Sequence, residues 1–211
     1  MHFIQRTSRP GRKVRKARPS AFATFADFAR GIRRRGEFTS IGTLAPPRGA
    51  FHLPLRMSDI VPASMAPAEL EKFLHSKIPL TAAMGIRVIQ TGPRRLVLEA
   101  PLAPNINHLG SVFGGALHTL PTLACYAALW TLMVEAGVDG HVVVKQSYAK
   151  YVQPVKQTFR ATCDRPPPGI AAEFIDDLRR FRKARMDLES VVEGTDGRVA
   201  VEFHGSFVAV L

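Results

Sequence analysis

The hydrophobic pattern sets one long segment without a polar face among several that alternate. From Ala100 to Val134, 35 consecutive residues carry no Asp, Glu, Lys or Arg. Within that run, Ala116 to Val134 is apolar on all sides, so it must be buried in lipid or in protein. It is long enough to span a bilayer core of about 30 Å at ~1.5 Å per residue. His118, Thr119, Pro121 and Thr122 fall within two turns and weigh against lipid. The flanking segments alternate like strands, and an open sheet cannot enter a bilayer. A helix from about Val112 to Ala136, wrapped by sheet and stopped by Gly137, accounts for the same residues. No membrane span is expected.

Around this helix the pattern predicts a short helix over Pro67–Ile78, with Leu70, Phe73, Leu74 and Ile78 on one face. Ile86–Gln90 and Arg95–Ala100 flank Thr91-Gly-Pro-Arg94 as a β-hairpin, and a Pro/Asn loop covers residues 101–108. His141 to about Tyr151 is a strand. In the next, Phe159, Ala161 and Cys163 share a face. Pro166-Pro-Pro168 interrupts the chain, and Ala171 to Arg182 reads as a short charged helix. Two strands close the sequence. Ala184, Met186 and Leu188 face one way in the first, and Val199, Val201, Phe203, Phe207 and Ala209 do so in the second. Gly194-Thr-Asp-Gly197 turns between them. Pro121 conflicts locally, because it removes the bond to the Leu117 carbonyl at a typical cost of ~3 kcal/mol. The helix is expected to bend or break there, with the Thr122 hydroxyl a candidate partner for the freed carbonyl.

Charge alters the picture mainly at one end. The chain has 211 residues and a formal net charge of +12. Residues 1–56 hold 13 Lys/Arg against two acids, Asp27 and Glu37, whereas residues 57–211 hold 16 against 15. The expected organisation is a basic extension, 1–56, before one near-neutral domain, 57–211. An isolated basic arm supplies only non-specific affinity for nucleic acid, so a nucleic-acid-binding protein is a remote alternative and no specific nucleic-acid partner is expected. Deleting residues 1–56 separates it from the others. The extension has three readings: a disordered tail, an Arg-rich transit peptide with Phe22, Phe25 and Phe28 as its apolar stripe, or a misplaced start before Met57 or Met65. Tail and misplaced start are favoured. No secretory apolar region occurs in the first 30 residues. Cys125 and Cys163 read as small core residues, and the cytoplasm is the expected compartment.

The common catalytic motifs are missing. Gly110-Ser-Val-Phe-Gly114 places Ser one residue early for a nucleophile elbow, and there is no P-loop or dinucleotide fingerprint. None of the seven histidines lies within four residues of another, so local metal-ligand spacing is absent. No metal or cofactor is expected. What remains is Gly114-Gly115 opening a buried helix. A helix start leaves N–H groups unpaired and partly positive, and without Cβ atoms a carbonyl can approach them. That arrangement would hold the oxyanion formed when water attacks a carbonyl. Equally, the glycines serve only to pack the helix against sheet. Gly114, His118 and Thr122 share a helical face. His118 is also readable as a hydrogen-bonded core residue, Asn107 as a turn former and Ser111 as an N-cap. Lys145, Lys150 and Arg160 suit phosphates or a solvated surface.

Asn107-x-x-Gly110-x-x-Phe113-Gly-Gly115, a long apolar helix and Tyr151-x-x-Pro154-Val155 together resemble the hotdog-fold thioesterase superfamily. Pro104-Asn-Ile-Asn107, Thr122-Leu-Ala124 and Gly205-x-Phe207-x-Ala209 are similar to its bacterial putative-thioesterase domain, sometimes fused behind an acetyltransferase domain. The resemblance covers about Pro67 to Leu211. It implies an α+β hotdog fold, an antiparallel sheet wrapped around one long central helix. It also implies dimers or dimers of dimers, with acyl-thioester sites between subunits. Many relatives carry a His before the double Gly and an acid seven residues after its second Gly; here those positions hold Phe113 and Thr122. In the subgroup it resembles, Phe and Thr are usual there. The implied activity is hydrolysis of acyl-CoA or acyl-carrier-protein thioesters by water. Gly115 would bind the oxyanion, and Thr122 and Asn107 would position water or carbonyl. Gly114, Phe113, Ser111 and His118 would contact substrate, and Lys145 and Lys150 the coenzyme A phosphates. The alternative is an acyl-thioester binding module without hydrolysis.

Overall fold

The structure, a computed structural model, describes residues 65–211. The expectations for residues 1–56 lie outside the described residues. Helix α1 spans Pro67–Lys77 and α2 Pro79–Ala83, followed by β1 (Arg87–Thr91) and β2 (Arg95–Ala100). After a 3-10 turn at Ala103–Asn105 comes the long helix α3, Gly114–Glu135. Then follow β3 (His141–Tyr151), β4 (Phe159–Asp164), α4 (Pro168–Phe181), β5 (Lys183–Gly194) and β6 (Val199–Val210). The six strands form one sheet in the order β1-β2-β4-β5-β6-β3, every neighbouring pair antiparallel. This is the expected hotdog architecture.

Helix α3 packs against β2 to β6, which explains how it manages without a polar face. Its length and apolarity alone would let it cross a membrane, yet 61% of its most apolar stretch is buried within the fold. The sheet supplies the opposing surface. Phe159, Ala161 and Cys163 from β4, with Met186, Leu188 and Val192 from β5 and Val201, Phe203 and Phe207 from β6, are all buried in one core with Leu120, Ala124 and Ala128 of α3. Phe73 of α1 closes the other side, its ring stacked on Trp130 at 3.8 Å between centroids.

Pro121 neither breaks nor ends α3, which runs continuously for 22 residues. The expected rescue of the Leu117 carbonyl by Thr122 does not occur. The Thr122 hydroxyl donates instead to the His118 carbonyl, 2.8 Å away, as Thr119 does to Gly115 and Thr131 to Ala127. In a helix without a wet face, the carbonyl four residues back is the nearest acceptor a threonine has.

Cys125 and Cys163 are buried free thiols. Burial, reinforced by Cys163 alongside, pushes the Cys125 thiol well above its ordinary value. In that state it is an inert core residue.

Strand β3 forms one edge of the sheet and carries an irregularity between Val144 and Gln146. The extra residue, Lys145, changes the parity of the strand. Val142 and Val144 pair with Ala209 and Phe207 of the inward-facing β6 set before it, and Ser147, Ala149 and Tyr151 pair with Gly205, Phe203 and Val201 after it. Lys150 therefore falls on the outer face, with Glu202.

Candidate active site

The loop before α3 is built by two asparagines. Asn105, only 4% exposed, donates through Nδ2 to the carbonyls of Met84 (2.9 Å) and Pro101 (2.7 Å), and its own carbonyl accepts from Phe113 N–H at 2.7 Å. Asn107 folds the next turn. Its Oδ1 accepts from the Leu109 N–H (2.8 Å) and the Ser111 N–H (3.2 Å), while Nδ2 donates to Ser111 Oγ at 3.0 Å. Gly110 follows at φ +72°, a conformation that favours glycine. A further backbone bond, Val112 N–H to Val155 carbonyl at 2.7 Å, ties the loop to the β3–β4 connection. Three segments distant in sequence thus fix where α3 begins.

Ser111 does not cap that helix. The N-cap is Phe113, with no side-chain bond to the helix, because the Ser111 hydroxyl is engaged by Asn107. The N–H groups of Gly114, Gly115 and Ala116, the first three helical residues, find no acceptor among the described residues. An uncapped helix start keeps its donors and its partial positive charge for a ligand. The Phe113 ring, 59% exposed, lies over Gly115, where a β-carbon would collide with it. Tyr151, from the end of β3, donates its hydroxyl to the Gly114 carbonyl at 3.2 Å.

One turn further, His118 Nε2 lies 3.0 Å from Ser147 Oγ of β3, with the ring edge-on to Phe203 at 5.4 Å. Gly114, Gly115, His118 and Thr122 are all half-buried and form one row along α3. Thr122 has spent its proton on the His118 carbonyl, but its oxygen retains lone pairs that can accept. Tyr126 continues the row, its hydroxyl proton held above the ordinary value by burial.

The structure gathers Phe113, Gly114, Gly115, His118 and Thr122, with Asn107 and Ser111 shaping their approach. The lysines do not join them. Lys150 donates to Glu202 at 2.8 Å on the outer sheet face, and that hydrogen bond raises its pKa; Arg160 pairs likewise with Glu99 at 2.7 Å. Lys145 sits exposed at the strand irregularity and has no ion-pair partner among the described residues. A cleft of about 340 Å³ opens beside the β5–β6 turn, lined by Gln153, Lys156, Asp196 and Arg198 among others, and no residue of the α3 row reaches it. Sequence reasoning gave no role to Asn105, Ser147 or Tyr151 of this site. Asn105 carried a signal as part of Pro104-Asn-Ile-Asn107 and Tyr151 as part of the Tyr-x-x-Pro pattern, whereas Ser147 carried none.

Comparison with known proteins gives the family and the fold. A family model described as "Putative thioesterase (yiiD_Cterm)" matches residues 67–211. A putative thioesterase from Shewanella oneidensis is 30% identical, with a TM-score of 0.63, over 69% of this chain and 97% of that one. A protein of unknown function from Chlorobaculum tepidum is 29% identical, with a TM-score of 0.66, over 70% and 98%. A probable thioesterase from Pseudomonas aeruginosa, 24% identical over 69% and 96% with a TM-score of 0.57, shares the fold. With a loop that leaves a helix start uncapped and a family match running from the first turn of α1 to the last residue, the chain belongs to the putative thioesterase family of hotdog fold.

Proposed function

We propose that this thioesterase hydrolyses acyl thioesters of coenzyme A or acyl carrier protein by direct attack of water. The observation that carries the reading is the uncapped start of α3. The substrate carbonyl oxygen accepts from Gly115 N–H, with Gly114 beside it, and these donors hold the oxyanion as it forms. Removing one such donor typically costs about 10²–10³ in kcat. Thr122, accepting through its oxygen, positions the water, and Asn107 acts by fixing the loop that leads the substrate to the helix. Phe113 covers the glycines and lines the acyl approach. The two unpaired thiols support a reducing compartment such as the cytoplasm. Incubation of the protein with acetyl-, hexanoyl- and palmitoyl-CoA and a thiol reagent tests the reading. Release of free thiol above background from any of them supports it, and none from all three overturns it.

The second reading is a binding module without hydrolysis. It is favoured by one observation, that Thr122 stands where many relatives carry an acid, and general acid–base help typically supplies about 10²–10⁴ in rate. Calorimetry showing tight acyl-CoA binding without product release would select it.

Thr122→Val separates these roles. It keeps the side-chain volume and loses the hydroxyl. The expected result is a roughly tenfold lower kcat with KM little changed, the size of one lost hydrogen bond. Unchanged kcat in a folded protein would leave Thr122 only filling the helix face.

The working unit is a homodimer joined along β3. That edge strand is 11 residues long, and Val143, Val144, Tyr148 and Tyr151 on it are 48–65% exposed. A long apolar edge with unpaired backbone groups is a template for another strand, and a second copy meets it with the same surface about a two-fold axis. Val144→Glu with Tyr148→Glu is expected to halve the mass measured by light scattering. A dimeric double variant would remove β3 as the contact.

A further inference from the structure

Thioester hydrolysis by water needs a group that accepts a proton from that water, and the uncharged run leaves the loop and α3 as far as Val134 without a carboxylate. Along α3 the titratable side chains are His118, Cys125, Tyr126 and Glu135. Cys125 is fully buried. Tyr126 is a proton donor throughout the neutral range. Glu135 lies 20 residues beyond Gly115, about 30 Å along the helix, and is held by Arg165. The remaining polar groups around the helix start are committed elsewhere: Thr119 to the Gly115 carbonyl, Tyr151 to the Gly114 carbonyl, and Asn107 to its own turn. His108 sits on the exposed loop, and nothing among the described residues holds its ring.

His118 differs on each count. Its ring is fixed twice, by Ser147 Oγ at Nε2 and by the edge contact with Phe203. Side chains on a helix lean toward its N-terminus and cover the positions three and four residues back. For His118 those positions are Gly115 and Gly114, which have no side chains to stand in the way. Imidazole is also the side chain suited to taking and returning a proton near neutral pH.

We propose that His118 is the general base of the reaction, with Ser147 as the residue that positions it. This rests on the thioesterase reading above. In the tautomer this role requires, Nε2–H donates to Ser147 Oγ, 3.0 Å away, and the Nδ1 lone pair is free. Nδ1 takes a proton from water while the water oxygen bonds to the thioester carbon, and the carbonyl electron pair moves onto the oxygen at Gly115 N–H. Collapse of that oxyanion restores the carbonyl and breaks the C–S bond. The imidazolium returns its proton to the departing thiolate, so one water and one thioester give one acid and one thiol. A Ser147 nucleophile is the less favoured use of the same pair. Ser147 lies within a paired strand, opposite Gly205, whereas the unpaired N–H donors are at the start of α3.

The test is steady-state hydrolysis of acetyl-, hexanoyl- and palmitoyl-CoA by the full chain and its variants. His118→Gln is expected to lower kcat about 10²–10⁴-fold with KM within a few-fold, because Gln holds a hydrogen bond and cannot accept the proton. For His118→Ala, added imidazole is expected to restore part of kcat, a rescue that lost packing would not give. Ser147→Ala is expected to lose about tenfold, and His108→Gln nothing. The proposal is overturned if the wild type hydrolyses a substrate and His118→Gln keeps its kcat, or if imidazole fails to rescue a folded His118→Ala. It is also overturned if Ser147→Ala is as inactive as His118→Gln and the wild type shows a stoichiometric burst of thiol. If the wild type hydrolyses none of the three substrates, the thioesterase reading fails first and takes the base with it. That outcome is visible without any variant.

Discussion

Gly115→Pro is expected to abolish measurable turnover of acyl-CoA substrates while the protein remains folded. Gly115 is the second residue of α3, and its N–H has no acceptor among the described residues. Proline removes that donor and costs little in the first helical turn, where its fixed φ suits the helix and no intrahelical bond is lost. A donor aimed at a developing oxyanion is typically worth about 10²–10³ in kcat. The Phe113 ring complicates the experiment, because any β-carbon at position 115 displaces it. Comparison in a Phe113→Ala background separates the effects. There Gly115→Ala keeps the N–H and Gly115→Pro loses it, in similar space, so the gap between their kcat values measures the donor. Equal kcat for the two would move the oxyanion to another group.

The elements were legible in the sequence, but their arrangement in the sheet was not. A run without charge has few ways to fold, and Ala116–Val134 became the central helix because sheet covers what water would reject. Alternation placed β4, β5 and β6 with the correct residues inward. The five-residue α2 was missed, since Pro79 stops α1 and then starts another turn of helix, and one turn leaves no periodic trace. Strand order is set by contacts far apart in the chain. Nothing local says that β4 inserts between β2 and β5, or that β3 is left at the edge.

Part of the site was hidden for related reasons. Ser111 has the right residue type for a cap, but the Asn107 amide four residues earlier competes for its hydroxyl and wins. The residue at Lys145 that breaks the register turns Lys150 outward and Ser147 inward, and a two-residue period read without it puts both on the wrong faces. The His118–Ser147 contact joins positions 29 residues apart and depends on that shift. The glycine pair was legible because its chemistry lies in the backbone. A donor that needs no side chain can be recognised from the absence of one.

Glu135→Ala is expected to cost about 3–5 kcal/mol of stability without touching the chemistry. Glu135 is the last residue of α3, where the helix dipole disfavours a negative charge. Arg165, just past β4, offsets this with a two-point contact at 2.6 and 2.9 Å, and its second nitrogen also donates to Thr131. The side chains are only 5% and 8% exposed, so both ions have left water together. Removing the carboxylate leaves a guanidinium with one hydroxyl as partner, and its Nε is already buried without an acceptor. For a domain of this size the loss corresponds to a fall in Tm of about 6–20 °C. Glu135→Leu with Arg165→Met should recover most of it, since an apolar pair of similar volume avoids the desolvation that the ions must offset. The kcat of the folded fraction should be unchanged in both variants, because Glu135 lies about 30 Å along the helix from Gly115. A Tm within 2 °C of wild type for Glu135→Ala would mean that water reaches Arg165, and the pair would then count as a surface contact worth at most about 1 kcal/mol.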